Sequence, residues 1–471
     1  MHICERQPEG PSYTGAMDAA NNDHPTKLKR AITGPLLYLF ILGDVLGAGI
    51  YALVGEVAGE VGGAIWIPLG VALLLAMLTA ASYAELVTKY PKAGGAAVFA
   101  ERAFGRPVLS FMVGFSMLAA GITSAAGLSL AFAGDYLKPF LDVPAVPAAL
   151  VFLLLVAALN SRGVKESVRA NVLMTVIEVS GLVLVIVLVA IMFGQGRGDA
   201  ARVIEFNPGT SPAAGVLAAS LLAYYSFVGF ETSANVAEEV HDVHRVYPKA
   251  LFGALLTAGG VYVLIGLASS IALPADELNQ SSGPLLQVVQ ETGFGVPDWL
   301  FGLIALIAVA NGALLTMIMA SRLAYGMAEQ RLLPEALGKV LPRRRTPWAA
   351  ILVTTVAAMA LTATGDLETL AKTVVLLLLF VFISTNIAVL VLRKDAVEHD
   401  HFRVPTFIPY LALGSCVLLL AQQEAGTWLR AAILLLIGLV LYAIAHWARA
   451  RKPAAATGPT LDETGHPERK R

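Results

Sequence analysis

The sequence predicts an all-α, multi-pass membrane protein with twelve transmembrane helices. Of its 471 residues 57% are hydrophobic and only 14% charged. Uncharged runs long enough to cross a bilayer recur along the chain. Lys and Arg are sorted into alternate connecting loops, as the positive-inside rule requires of a chain that threads a membrane repeatedly. The mean hydropathy of +0.71 agrees.

The tail at 1–30 is polar and lacks a signal-peptide core. The first span, 35–61, is interrupted by Leu42-Gly-Asp-Val-Leu-Gly-Ala-Gly-Ile50. Spans at 64–88 and 108–136 follow, then a short one at 146–160 expected to begin near Pro144, and a fifth at 171–193. The sixth, 213–237, carries a second interruption, Tyr224-Tyr-Ser-Phe-Val-Gly-Phe-Glu231. The seventh, 250–273, is expected to start at Pro248, and the eighth to tenth lie at 300–325, 347–364 and 369–392. Two more, 406–422 and 429–448, precede a polar tail at 453–471. The expected organisation is a ten-helix core at 31–400, helices 11 and 12 within 401–452, and two tails.

Loop charge orients this arrangement. Lys27, Lys29 and Arg30 precede the first span, Arg343-Arg344-Arg345 follow the eighth, and Arg449 and Arg451 follow the twelfth. The loop from Pro274 to Trp299 contains neither Lys nor Arg. Both termini are therefore expected in the cytoplasm, with the protein in the cell membrane and the lipid bilayer as its surroundings.

Several function classes lose support. The formal net charge of -1 and the absence of a basic patch argue against nucleic acid as a partner. Cys4 and Cys416 give no disulfide framework and no metal spacing. There is no Gly-x4-Gly-Lys-Ser/Thr loop and no His-Glu-x-x-His, so ATP-driven pumping and zinc proteolysis lack their usual residues. No nucleophile–base pair stands out, so no enzyme activity and no cofactor are expected. The run Ala237-Glu-Glu-Val-His-Asp-Val-His-Arg-Val-Tyr-Pro-Lys249 holds two His, yet reads as a solvated loop rather than a metal site.

The two interruptions carry the chemistry. Irregular backbone survives in a bilayer only where it lines a cavity or is buried in protein. After Gly47-Ala48-Gly49 a half-helix restarts, and its free N–H groups can hold an anion such as a carboxylate; the same small residues would also serve a helix-packing face. Gly229 would free carbonyls near Tyr225 and Val228 for a cation, or simply kink the helix among aromatics. Donors at one break and acceptors at the other suit a zwitterion. Paired interruptions in two halves point to a transporter with a five-plus-five inverted repeat and broken helices 1 and 6.

Asp44, Glu178 and Glu231 lie in apolar surroundings. Each costs about 2.5–3.5 kcal/mol at mid-membrane, which makes them functional candidates. Asp44 and Glu231 have structural alternatives, as caps of the broken backbone.

With these motifs in place, the chain resembles the amino acid–polyamine–organocation (APC) superfamily, and bacterial amino acid permeases in particular. Gly47-Ala-Gly-Ile50 resembles the family's first-helix motif. Ser82-Tyr-Ala-Glu-Leu86 and Pro91-Lys-Ala-Gly-Gly95 resemble the region after the second helix, and Phe227-Val-Gly-Phe-Glu231 with Ala237-Glu-Glu239 the sixth. Ser321-Arg-Leu-Ala-Tyr-Gly-Met-Ala328, Leu333-Pro334 and Phe402-Arg-Val-Pro405 complete the order. The resemblance implies secondary transport of an amino acid substrate, by proton-coupled symport, with exchange or polyamine/organocation transport as alternatives and a receptor or channel as a different class. It implies the substrate carboxylate on the amides of Ala48 and Gly49, with Gly47 opening the turn. The ammonium would meet carbonyls of Tyr225 and Val228 beside Gly229, with Val45 near; Ser116, Phe230 and Asn311 would set selectivity. Three departures stand out: Glu178 where relatives can carry a coupling lysine, Asp44 before the glycine motif, and Asp242-Val243 in place of Asn-Pro. Asp44 and Glu178 are therefore expected to face one another and share a proton, with Na+ coupling and the oligomeric state left open.

Overall fold

The computed structural model describes residues 32–92, 94–162, 167–341 and 346–451. The two polar tails, and Arg343-Arg344-Arg345, lie outside them. Among the described residues the chain is helical, with one isolated bridge between Ile32 and Val240.

In order, the helices are α1 (Gly34–Leu46), α2 (Ala48–Val61), α3 (Trp66–Lys89), α4 (Gly95–Phe104), α5 (Pro107–Phe132) and α6 (Ala145–Arg162). They continue as α7 (Ser167–Gly194), α8 (Pro212–Tyr225), α9 (Val243–Ala272), α10 (Ala275–Gln280) and α11 (Pro284–Thr292). The last are α12 (Asp298–Glu329), α13 (Trp348–Thr364), α14 (Leu367–Leu392), α15 (Phe407–Ala421) and α16 (Ala425–Arg451). A 3-10 segment, Phe230–Glu239, continues α8 after a four-residue interruption.

Nine segments among the described residues are long and apolar enough to cross a membrane alone. The pair α1 and α2 adds a tenth crossing if taken as one span bent by 40°. Helices α13, of 17 residues, and α15, of 15, are apolar but short. At 1.5 Å per residue they fall at or below the length a perpendicular span needs. Every expected span thus has a helix, though not each is a full crossing by length.

The enclosed helices lie at the centre. Helix α5 packs against α12 and α14, and α3 against α8 and α9. Helix α16 turns Leu429, Leu436 and Trp447 outward, as a helix at the lipid boundary does. Helix α9 begins at Val243, five residues before the expected start at Pro248. The pairs Ile32 N–H to Glu239 O and His241 N–H to Ile32 O hold the chain up to that point. Asp242, at φ +47°, then turns it into the helix.

Two segments singled out in the sequence meet in space. Glu85, within Ser82–Leu86, accepts from Arg393 through both oxygens, Nε at 2.8 Å and Nη2 at 2.7 Å. It also accepts the Val404 N–H at 2.9 Å, and Thr88 Oγ1 accepts the Phe402 N–H at 3.1 Å. Lys89 Nζ donates to the carbonyls of Leu392 and Asp395, both at 2.6 Å. Helix α3 is thereby clamped to the end of α14 and to the strap at 393–404. Burial and the bond to Asp395, in that order, push the neighbouring Tyr90 phenol up to about 12, so it remains a donor throughout the physiological range.

Removing one partner of a buried ion pair leaves the other uncompensated, at a cost of about 3–5 kcal/mol. Glu85→Ala is expected to lower the unfolding midpoint in detergent markedly. Glu101→Ala, on the exposed face of α4, should leave it nearly unchanged. Equal midpoints would show that the clamp does not stabilise the bundle.

Candidate substrate site

The first interruption ends α1 at Leu46 and restarts the chain as α2 at Ala48, with Gly47 between them at φ −21°, ψ −170°. The second ends α8 at Tyr225. Tight turns follow, Phe227 N–H to Tyr224 O and Val228 N–H to Tyr225 O, each 3.0 Å. Gly229 then takes φ +125°, a conformation that favours glycine.

The two breaks press on each other. A Cβ on Gly49 would lie 2.8 Å from Ser226 Cα, and one on Gly229 would lie 2.8 Å from the Asp44 carbonyl oxygen. Neither neighbour can give way, because each is backbone. Only glycine permits the approach at both positions.

Between the breaks lies a cavity of about 620 Å³, within the size range of small-molecule sites. Asp44, Val45, Gly47 and Gly49 line it from the first break, and Tyr225, Val228, Gly229 and Glu231 from the second. The N-terminal end of α2 therefore meets the same space as the C-terminal end of α8. Such ends carry partial positive and partial negative charge respectively.

The three candidate acids have different surroundings. Asp44 accepts the Thr232 hydroxyl, which also lies 2.8 Å from Gly229 O. Glu231 accepts the Gly229 N–H at 2.9 Å, so its carboxylate satisfies the broken backbone. Glu178 is fully buried on α7 outside the cavity lining, and neither carboxylate oxygen has a hydrogen-bond partner among the described residues. Its neighbours place it beside the first break: Gly43 faces Thr175 one turn earlier, and the Tyr51 hydroxyl donates to the Glu178 carbonyl at 2.7 Å. No hydrogen bond joins Glu178 to Asp44 among the described residues.

Three residues expected to set selectivity lie away from the cavity. Ser116 Oγ bonds the Met112 carbonyl of its own helix at 2.8 Å. Asn311 Nδ2 donates to Asn171 at 3.0 Å, facing α7. Phe230 is buried against Phe382 and Tyr83 with ring centroids 5.5 and 5.7 Å apart. The same helices line the cavity through neighbours instead, among them Met117, Gly121 and Ser124 on α5 and Thr316 and Met319 on α12. One-residue steps rotate a helix by 100°, and motif position does not fix which face turns inward. Ala48 is the first residue of α2.

Thr232 and Ser124 belong to no motif singled out in the sequence. Thr232 joins the breaks, and Ser124 Oγ lies 2.8 Å from the Tyr225 hydroxyl, fixing that ring in the wall. A hydroxyl one turn beyond an interrupting glycine was the available signal for Thr232.

The cavity reaches the end of the bundle marked by Ile32, Glu239 and Arg322. At the other end the Tyr136 hydroxyl donates to Tyr51 O at 2.7 Å. Lys372 there pairs with Glu60, Glu368 and Glu424 at 3.2, 2.5 and 2.9 Å, tying α2 to α14.

Gly49→Ala is expected to leave an inserted, folded protein whose substrate affinity falls by about tenfold or more, since overpacking costs about 1–3 kcal/mol. Gly114→Ala, whose added methyl meets neighbours at 3.6 Å, should bind as the unaltered protein does. Equal affinities for the two, measured by equilibrium binding, would contradict the close-approach argument.

Comparison with known proteins bears on this geometry. The chain is 27% identical to the branched-chain amino acid permease BcaP of Bacillus subtilis over 88% of its own length and 92% of the relative's. It is 27% identical to the methylthioribose transporter of the same organism, over 88% and 93%. With the vacuolar cationic amino acid transporter 4 of Arabidopsis thaliana it shares 30% identity over 79% of its length and 64% of the relative's. Residues 35–447 match the family model described as amino acid permease, so the chain belongs to the amino acid permease family of the APC superfamily.

Proposed function

We propose that the protein is a secondary active transporter that carries amino acids across the cell membrane by alternating access, coupled to protons. The observation that carries this reading is the abutment of two broken helices on one cavity, with a helix N-terminus on one side and a C-terminus on the other. The substrate carboxylate accepts from the amides of Ala48 and Gly49, and its ammonium donates to the carbonyls of Tyr225 and Val228. The Tyr225 carbonyl already takes one bond from Val228 and keeps a second lone pair. Walls formed by Met117, Leu128, Leu315, Met319, Val374 and Leu378 suit an apolar side chain, as the similarity to a branched-chain amino acid permease also suggests.

In this reading residues 31–400 form the ten-helix inverted repeat, and α15 and α16 are the eleventh and twelfth spans. The basic loops support a cytoplasmic position for both termini and the Ile32 end, and in this reading the cavity faces inward and the Lys372 cluster closes the outer side. Alternating access then needs the outer contacts to part as the inner ones close.

Asp44 and Glu178 perform the coupling. Both sit beside the first break, one lining the cavity and one behind it. Two carboxylates in mutual reach carry their charge more cheaply with one proton than with none. A carboxyl group lacking any partner in apolar protein is costly to ionise, so its charge state responds to whichever aqueous side reaches it. Glu231 is committed to the broken backbone. A second reading, exchange or transport of an organic cation, is favoured by Asp44 and Glu231 on the cavity wall.

Purified protein in liposomes distinguishes these. An inside-alkaline gradient is expected to drive accumulation of a labelled apolar amino acid, and a sodium gradient is not. Glu178→Gln should abolish accumulation while retaining about half or more of the counterflow exchange, because it removes coupling and leaves the site. Undiminished pH-driven accumulation in Glu178→Gln would refute the coupling role. Uptake of a polyamine in preference to any amino acid, or counterflow without accumulation under either gradient, would favour the second reading, and a lack of both accumulation and counterflow would favour a channel or receptor.

A further inference from the structure

Tyr262 lies outside the cavity lining. It is fully buried on α9, and its ring packs edge-on against Phe227, centroids 5.2 Å apart and planes at 71°. The hydroxyl lies 2.6 Å from the carbonyl oxygen of Val45 and 3.0 Å from that of Ser226. Val45 belongs to the last turn of α1 and Ser226 caps α8. Carbonyls at these positions have no partner within their own helix. One side chain on a third, continuous helix thus touches the open end of both broken ones.

We propose that Tyr262 is the positioning residue of the substrate site. A phenol has one proton and faces two acceptors, so it holds both carbonyls within reach of one point. Without that proton the two oxygens, each carrying partial negative charge inside an apolar bundle, would repel across the gap. With it they stay close, and the carbonyls of Tyr225 and Val228 beside them keep the spacing that a substrate ammonium meets. The Tyr262 hydroxyl itself sits behind the cavity lining. Its effect falls on the amino group of the substrate and not on the carboxylate, which binds amides on the other break.

This inference rests on the amino acid site proposed above, and the test separates the two. Half-saturation of counterflow in liposomes is measured for a labelled amino acid, and inhibition is measured for its analogue lacking the amino group. Tyr262→Phe is expected to raise half-saturation for the amino acid by about tenfold, the effect of one lost buried hydrogen bond, and to leave inhibition by the analogue within about twofold. Tyr38→Phe is the control, since it removes a 2.9 Å bond to Thr257 between the same helices, α1 and α9, away from the breaks. Phe227→Leu, which keeps the hydroxyl and removes the ring that seats it, should shift the amino acid alone, in the same direction. Equal weakening of amino acid and analogue in Tyr262→Phe, or behaviour like Tyr38→Phe, would overturn the assignment. If Tyr262→Phe does not fold, Phe227→Leu with unchanged selectivity overturns it equally. Absence of saturable counterflow in the unaltered protein would overturn the transport reading and this inference together.

Discussion

The contact on which the rest of the structure depends is the approach of two unwound backbone segments inside a hydrophobic bundle. Around Gly47 and Gly229 the chain gives up helical hydrogen bonds at membrane depth, where an unsatisfied group costs several kcal/mol. The molecule answers with side chains brought from elsewhere. Glu231 takes the Gly229 N–H, Thr232 lies between Gly229 O and Asp44, and Tyr262 reaches the carbonyls of Val45 and Ser226. What remains open points into one cavity.

Rigidity around that contact comes from polar groups that are themselves enclosed. At one end Glu85 joins α3 to Arg393 and to the Val404 backbone; at the other Lys372 gathers carboxylates from α2, α14 and the turn before α16. In an apolar medium such bonds specify which helices meet more than they add net stability. The Glu85 clamp spares α1 and the 3-10 segment, the elements that line the mouth of the cavity. The Lys372 cluster grips α2 instead. That asymmetry fits a bundle that is open at one end and fastened at the other.

Much of the architecture was legible in the sequence, because lipid imposes length and polarity on each span. The breaks at Gly47–Gly49 and Gly229 could be placed to the residue, since glycine beside an acid in an apolar run has few other uses. Helix rotation could not. Ser116 and Asn311 lie on the right helices but turn toward Met112 and Asn171, and Phe230 turns into the Tyr83–Phe382 stack. In helices apolar on all sides, periodicity carries no information about facing. Tyr262 was invisible for a related reason: an unremarkable tyrosine becomes a bridge only when three helices converge. The start of α9 was misplaced because Pro248 is a strong local signal, and the Ile32–Glu239 and Ile32–His241 pairs that override it are long-range.

The central claim, that the two breaks form one amino acid site, is tested most directly by a structure of the protein with bound substrate. Density for the amino acid is expected between the breaks, its carboxylate on the amides of Ala48 and Gly49 and its ammonium toward Tyr225 and Val228. Density for the substrate elsewhere in the bundle, or between the breaks with the two ends reversed, would contradict it.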